Sequence, residues 1–181
     1  MISGKEFNQQ YPGKWSKILA QTQIHNRFVY KEGLNIDKHP FNEEPVCGAG
    51  GLYFSNQPHK WTDYGPLIAD VSIPDDAVVV VLQDKAKADR IILANIRPWC
   101  SDEKFAFTAV AHYGCAIKYI TNPSEAIQLA AVTHDGHAIQ LITNPSEAVQ
   151  LAAVAQNGYV IQYIDNPSDA IQLAAQHAFK N

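Results

Sequence analysis

A chain of 181 residues with 46% apolar content can bury one or two small cores without disulfide staples, and a formal charge of −4 gives it no overall affinity for phosphate backbones. Three scattered cysteines, Cys47, Cys100 and Cys115, form no paired framework and no Cys-x-x-Cys, and Met1-Ile2-Ser3-Gly4-Lys5 lacks the apolar core of a signal peptide. No run is long enough to cross a bilayer, so no membrane association and a reducing, cytoplasmic setting are expected.

In chain order, Trp15, Ile18 and Leu19 fall at i, i+3 and i+4 and predict a short helix docked on a sheet. From Phe28 to Leu93 the pattern changes to short strands separated by Gly, Pro and Asp: Phe28-Val29-Tyr30, Leu52-Tyr53-Phe54, Leu67 to Ile73, Val78 to Leu82 and Arg90 to Leu93. Val78-Val79-Val80-Val81-Leu82 does not alternate, which indicates a strand covered on both faces. Residues 1–98 are therefore expected to form a small mixed α/β domain.

Its most distinctive stretch is Cys47-Gly48-Ala49-Gly50-Gly51-Leu52-Tyr53-Phe54-Ser55, followed by Trp61-Thr62-Asp63-Tyr64-Gly65. Glycines before a strand admit a ligand or a neighbouring backbone, and aromatics after it can stack on a planar ring or fill a core. No P-loop and no Gly-x-Gly-x-x-Gly is present. Cys47 with His25, His39 or His59 has the residue types of a thiol nucleophile and base, although a lone Cys near a turn also serves as a small hydrophobe. Lys85 and Lys87 flank a strand as phosphate contacts or solvated surface, and Asp75-Asp76 after Pro74 reads as turn chemistry.

Residues 99–181 carry a repeat. Asn122-Pro123-Ser124-Glu125, Asn144-Pro145-Ser146-Glu147 and Asn166-Pro167-Ser168-Asp169 recur every 22 residues, each before Ala-Ile/Val-Gln-Leu-Ala-Ala, and Cys100 opens a worn copy through Ser101-Asp102-Glu103. A fixed period of this length signals stacked units, which more often hold partners than catalyse. Asn as N-cap, Pro at the first helical position and an acid in the first turn start each helix. Gly114, Gly136 and Gly158 are expected to close it in the left-handed conformation. The stretch to the next Asn-Pro fits about two further helical turns, so each unit reads as a helical hairpin. The fold class is α+β: a mixed domain followed by a short helical solenoid of three full repeats and a terminal helix, Asp169 to Phe179, that either caps the array or pairs with another copy in a homodimer.

The Gln128, Gln150 and Gln172 column is read as a structural polar seam. Partner recognition is expected where the copies differ, at His112, Tyr113, His134, Asp135, His137, Asn157 and Tyr159, because turns carry specificity while the scaffold carries stability. No Cys or carboxylate recurs beside the histidines at ligand spacing, so no metal site is expected. Residues 1–99 hold 11 Lys/Arg and 11 Asp/Glu, whereas residues 100–181 hold 3 and 7. An acidic repeat half argues against nucleic acid as its partner.

The repeat unit, with Asn157-Gly158-Tyr159, looks like the short helical repeats of unknown function found in large phages, giant viruses and some intracellular bacterial pathogens. Tyr30-Lys31-Glu32-Gly33-Leu34-Asn35, Gly50-Gly51-Leu52-Tyr53-Phe54 and Lys85-Ala86-Lys87-Ala88-Asp89 resemble an uncharacterised domain accompanying repeats in viral proteins. These resemblances imply a virus-type accessory protein that binds and modulates a host protein, as an anti-defence factor would, with no cofactor. A second resemblance, to the ADP-ribosyltransferase fold, rests on the order His25, Gly51, Tyr53, Ser55 and Tyr64 and implies that these residues contact NAD. The late Glu of that family is missing, since no Glu lies between Glu44 and Glu103. Asp84 or Asp89 would have to replace it, with catalytic candidates His25, Tyr53, Tyr64 and Asp89; otherwise the domain is an inactive relative retaining a nucleotide-shaped pocket.

Overall fold

The computed structural model describes residues 1–178 and divides into two compact units, Met1–Trp99 and Cys100–Asn181. The first unit opens with β1 (Ile2–Ser3) and α1 (Gly4–Gln10). A capping box starts α1: Ser3 Oγ accepts from the Glu6 N–H at 3.2 Å, and Glu6 Oε2 accepts from the Ser3 N–H at 2.8 Å. Then follow β2 (Trp15–Leu19), β3 (Ile24–His25), β4 (Phe28–Val29), β5 (Gly33–Ile36) and β6 (Leu52–Phe54). A 3-10 segment, Pro58–Tyr64, precedes β7 (Leu67–Ser72), β8 (Val78–Val81), β9 (Ala86–Ala88) and β10 (Arg90–Pro98).

Two four-stranded antiparallel sheets result, in the orders β1-β8-β9-β6 and β2-β7-β10-β5, with β3 and β4 as a separate hairpin. Leu52, Phe54 and Val79 of one sheet and Leu19, Ala69 and Leu93 of the other enter a single buried cluster. A reciprocal pair of bonds, Ser16 N–H to Ser55 O at 2.8 Å and Ser55 N–H to Ser16 O at 2.9 Å, bridges β2 to β6.

The helix expected around Trp15 is instead β2, paired to β7 with Ile18 opposite Ile68, and the helix is α1. Trp15, Lys17 and Leu19 share one face by strand alternation. Trp15 packs 5.1 Å from Phe7 and 5.5 Å from Phe54, ring centroid to ring centroid, and Leu19 is buried. Lys17 on that inward face disguised the strand period.

In the second unit α2 (Glu103–His112), α3 (Glu125–His134), α4 (Glu147–Gln156) and α5 (Asp169–Ala178) begin 22 residues apart, and each packs on the next. Between them lie Gly114–Tyr119, Gly136–Leu141 and Gly158–Tyr163, which are 3-10 turns rather than the α-helical arms expected. Phe179, the expected end of the last helix, lies outside the described residues.

Two details of the repeat differ from expectation. Asn122, Asn144 and Asn166 are not N-caps; they sit at φ of 52°, 51° and 49°, the left-handed region that Asn tolerates better than most residues. The N-caps are Ser124 and Ser146, and Ser146 Oγ accepts from Val149 N–H at 3.4 Å. The glycines, in turn, do not adopt left-handed φ. The helices end because Tyr113, Asp135 and Asn157 swing to extended backbone. A Cβ at Gly114 would lie 2.6 Å from the Ala131 carbonyl oxygen, and one at Gly136 would lie 2.8 Å from that of Ala153. Glycine lets the following helix approach closely.

Hydrogen bonds join successive copies. Ser124, Ser146 and Ser168 donate through Oγ to the Oε1 of Glu103, Glu125 and Glu147 respectively. Gly114 N–H donates to His134 Nδ1 at 3.2 Å, and Gly136 N–H to Gln156 Oε1 at 2.8 Å. Gln128, Gln150 and Gln172 each donate from Nε2 to the carbonyl of the Pro five residues earlier, at 2.9, 2.9 and 3.0 Å, closing their own turns.

Candidate functional sites: an aromatic cleft and an apolar helix row

The hairpin β3–β4 turns through Asn26 and Arg27, both at positive φ (50° and 64°), the two-residue geometry that matches strand twist. It carries His25 to the 3-10 segment, where its ring meets Tyr64 edge-on at 5.3 Å. Beside that contact is a cleft of about 280 Å³. His25, Tyr53, Ser55 and Tyr64 all line it, together with Lys17, Cys47, Trp61 and Lys85. Gly51 does not line it; its N–H donates to Asp37 Oδ2 at 2.6 Å, and its lack of a Cβ accommodates the stem of Lys87.

Tyr53 offers a ring rather than a free hydroxyl. Its Oη accepts from Gly48 N–H at 2.9 Å and donates toward the carbonyls of Val46 and Gly48 at 3.0 and 3.1 Å, pinning the glycine loop. Ser55 Oγ donates to the Asp84 carbonyl at 2.8 Å and accepts from Gln57 N–H at 2.9 Å. Lys87 is fully buried instead of solvated, and Nζ donates to the carbonyls of Glu44 and Val46 at 2.7 and 3.3 Å. Burial lowers its pKa.

Lys17 is a second buried amine, 6% exposed. Its Nζ donates to the Tyr53 carbonyl at 2.7 Å and lies 4.3 Å from the centre of the Tyr30 ring. Desolvation pulls its pKa down to about 7. Partial burial, and then the charge of Lys17, lower that of His25. Sequence reasoning passed over Lys17; the signal available was a lysine at an inward position of an apolar run.

Among the described residues no carboxylate side chain lines the cleft. Asp89 is engaged elsewhere, accepting from Val78 N–H at 2.8 Å and pairing with Arg90 at 2.8 Å. Asp84 contributes its carbonyl to Ser55, and its side chain is not in the lining. ADP-ribosyl transfer needs negative charge beside a developing oxocarbenium ion. The cleft supplies cations instead, so its residues do not fit NAD transfer chemistry. Cys47 lines it with His25, while His39 and His59 do not.

Several of the turn residues expected to bind a partner have structural duties. His134 accepts from Gly114 N–H, Asp135 Oδ1 accepts from His137 N–H at 3.0 Å, and Asn157 Oδ1 accepts from Tyr159 N–H at 3.0 Å. Tyr113 is half-buried, whereas His112, His137 and Tyr159 are exposed. Among the described residues no group of three or more His, Cys, Asp or Glu is arranged to hold a metal ion.

A different surface emerges along the helices. Ile127, Ala131 and Val132 of α3 are buried, but the opposite flank, Ala126, Leu129, Ala130 and Thr133, is also nearly all apolar. The same positions recur as Ala148, Leu151, Ala152 and Ala155 in α4 and as Ala170, Leu173, Ala174 and the polar His177 in α5. Phe107, Leu129, Leu151 and Leu173 thus form one row, partly buried in the middle and 46% and 57% exposed at its ends. The regular Leu was visible in the sequence as part of Ala-Ile/Val-Gln-Leu-Ala-Ala, but no surface was read from it.

These features describe an α+β protein with a helical repeat unit and no helix, among the described residues, long and apolar enough to cross a membrane. The chain is 36% identical over 64 residues to Putative ankyrin repeat protein R868 of Acanthamoeba polyphaga mimivirus, covering 33% of this chain and 32% of that protein. It is 36% identical over 67 residues to Putative ankyrin repeat protein R896 of the same virus, covering 35% and 20%. Uncharacterized protein R869, also of that virus, is 38% identical over 64 residues, covering 33% and 46%. The chain therefore spans less than half the length of these giant-virus relatives. No family model and no solved structure matches. The 22-residue step between helices here is shorter than the ankyrin repeat of about 33 residues.

Proposed function

We propose that this is a giant-virus-type accessory protein whose repeat unit is a short solenoid that docks a host protein. The observation that carries this reading is the row Phe107, Leu129, Leu151 and Leu173, flanked by alanines in α3, α4 and α5, on the side of the helices away from their buried residues. A helix apolar on two sides buries one in its own fold and offers the other to a second layer. Similarity to giant-virus proteins named for ankyrin repeats agrees with an interaction role. The acidic repeat half disfavours nucleic acid as the occupant.

The exposed residues His112, His137 and Tyr159, at or just after the helix ends, offer further polar and aromatic contacts to a protein partner. Cross-linking of the purified chain in host lysate, with mass spectrometry of the products, tests this. Leu129→Glu with Leu151→Glu should abolish cross-links to a defined host protein while the circular dichroism spectrum is unchanged. Cross-links that persist in the double variant would overturn the assignment. Light scattering that reports a doubled mass would make the occupant a second copy of this chain.

A further inference from the structure

We propose that the cleft of the Met1–Trp99 unit binds a small planar aromatic anion, a carboxylate or a phosphate ester, with its ring among Tyr53, Trp61 and Tyr64 and its charge held by Lys85 and Lys17. Four observations converge. The lining contains two lysines, a histidine and several aromatic rings, with no carboxylate side chain among them. Lys85 Nζ lies 4.3 Å from the Trp61 ring centre and 5.5 Å from that of Tyr53, so a cation sits beside the rings among which a planar anion would be held. Trp61, which lines the cleft, has its Nε1 buried with no hydrogen-bond partner among the described residues. Finally, Lys17 is a buried amine whose only direct hydrogen-bond acceptor among the described residues is the neutral Tyr53 carbonyl.

A buried ammonium without a counter-ion is unfavourable, and an anion in the same cleft restores it. The groups facing Lys17 are the Tyr30 ring, the Tyr53 carbonyl of β6 and His25 of β3. Burial, and then the charge of Asp37, raise the pKa of Tyr30, and Asp37 does not line the cleft. With Lys17 near 7 in the free protein, an anion binds best when it is protonated and draws a proton onto it at higher pH. Affinity should therefore weaken as pH rises from 6 to 9. Exposed His25, edge-on to Tyr64, closes one side of the cleft from its hairpin.

The test is a calorimetric titration of the full chain at pH 7 with naphthalene-2-carboxylate, 2-naphthyl phosphate and the neutral naphthalene-2-carboxamide. At least one anion should bind about tenfold or more tightly than the carboxamide, the scale of one charge-assisted hydrogen bond. The preferred anion identifies the ligand as carboxylate or phosphate ester. Lys85→Gln, at a partly exposed position that leaves folding intact, should weaken the preferred anion by about tenfold and the carboxamide little. Naphthalene-2-carboxylate, which does not titrate between pH 6 and 9, should lose affinity over that range in the native chain but not in Lys17→Met, whose fold is checked by circular dichroism. Equal binding of anion and carboxamide, or no binding of any probe at millimolar concentration, would overturn the proposal.

Discussion

Replacing Gly114 with Ala puts one methyl group where the stacking of repeats leaves no room. The new Cβ would sit 2.6 Å from the Ala131 carbonyl oxygen and 3.2 Å from Asp135 Cβ. Ordinary contacts begin near 3.4 Å, so α3 must retreat by most of an ångström, straining the Gly114 N–H bond to His134. Overpacking of this kind costs about 1–3 kcal/mol. In a domain the size of the second unit each kcal/mol lowers the melting temperature by about 4–8 °C. Thermal unfolding followed by far-ultraviolet circular dichroism measures the shift, with Gly48→Ala as the control. Nothing lies within 4 Å of a Cβ at Gly48, so that change should be neutral or stabilising by up to ~1 kcal/mol. Gly114→Asn separates steric crowding from left-handed closure: Asn would be tolerated at a left-handed position but is larger than Ala in a crowded one. Gly114→Ala melting with the native chain, or Gly114→Asn outperforming it, would refute the close-packing argument.

Three further outcomes follow from the same coordinates. Lys17 has a folded pKa of about 7 against an ordinary 10.5, so the unfolded chain holds more protons between those values; stability to urea should rise from pH 7 to about pH 10, with much less slope in Lys17→Met. A flat profile in the native chain would contradict its burial as a lone amine. Ser146→Ala removes an N-cap bond and a link to Glu125 and should cost about 0.5–2 kcal/mol by urea titration, whereas Ser124→Ala, which loses no cap bond, should cost less. Tyr53→Phe frees the loop that its hydroxyl pins, so the exposed Cys47 should react faster with a thiol reagent; an unchanged rate would show that the Lys87, Asp37 and Asn42 bonds hold the loop without it.

Periodic features were the most legible in the sequence. The 22-residue spacing marks each helix because Ser-Glu/Asp and the apolar stripe act locally, within one turn of the chain. The sheet strands were legible wherever β-branched and aromatic residues clustered, as in β6, β7 and β8. Lys17 hid β2 because a lysine pointing inward inverts the expected alternation, and its acceptor, Tyr53, is 36 residues distant. The roles of the glycines were misassigned for a related reason: a clash with Ala131 or Ala153 belongs to the next copy, not to local dihedral preference. His25, Tyr53, Ser55 and Tyr64 lie close together in space, but which of their polar atoms were already committed to the chain could be read only from three-dimensional neighbours.

Among the described residues, cross-struts in the second unit join one copy to its immediate neighbour, through Ser-to-Glu bonds 21 residues apart and Gly114-to-His134, Gly136-to-Gln156 and Cys115-to-Asp135 bonds 20 residues apart. None of these bonds skips a copy. A coding segment of whole-repeat length can then be gained or lost by misaligned recombination with every remaining joint conserved. Such a gene could lengthen or shorten its gripping surface in discrete increments, leaving the fold of the surviving copies unchanged.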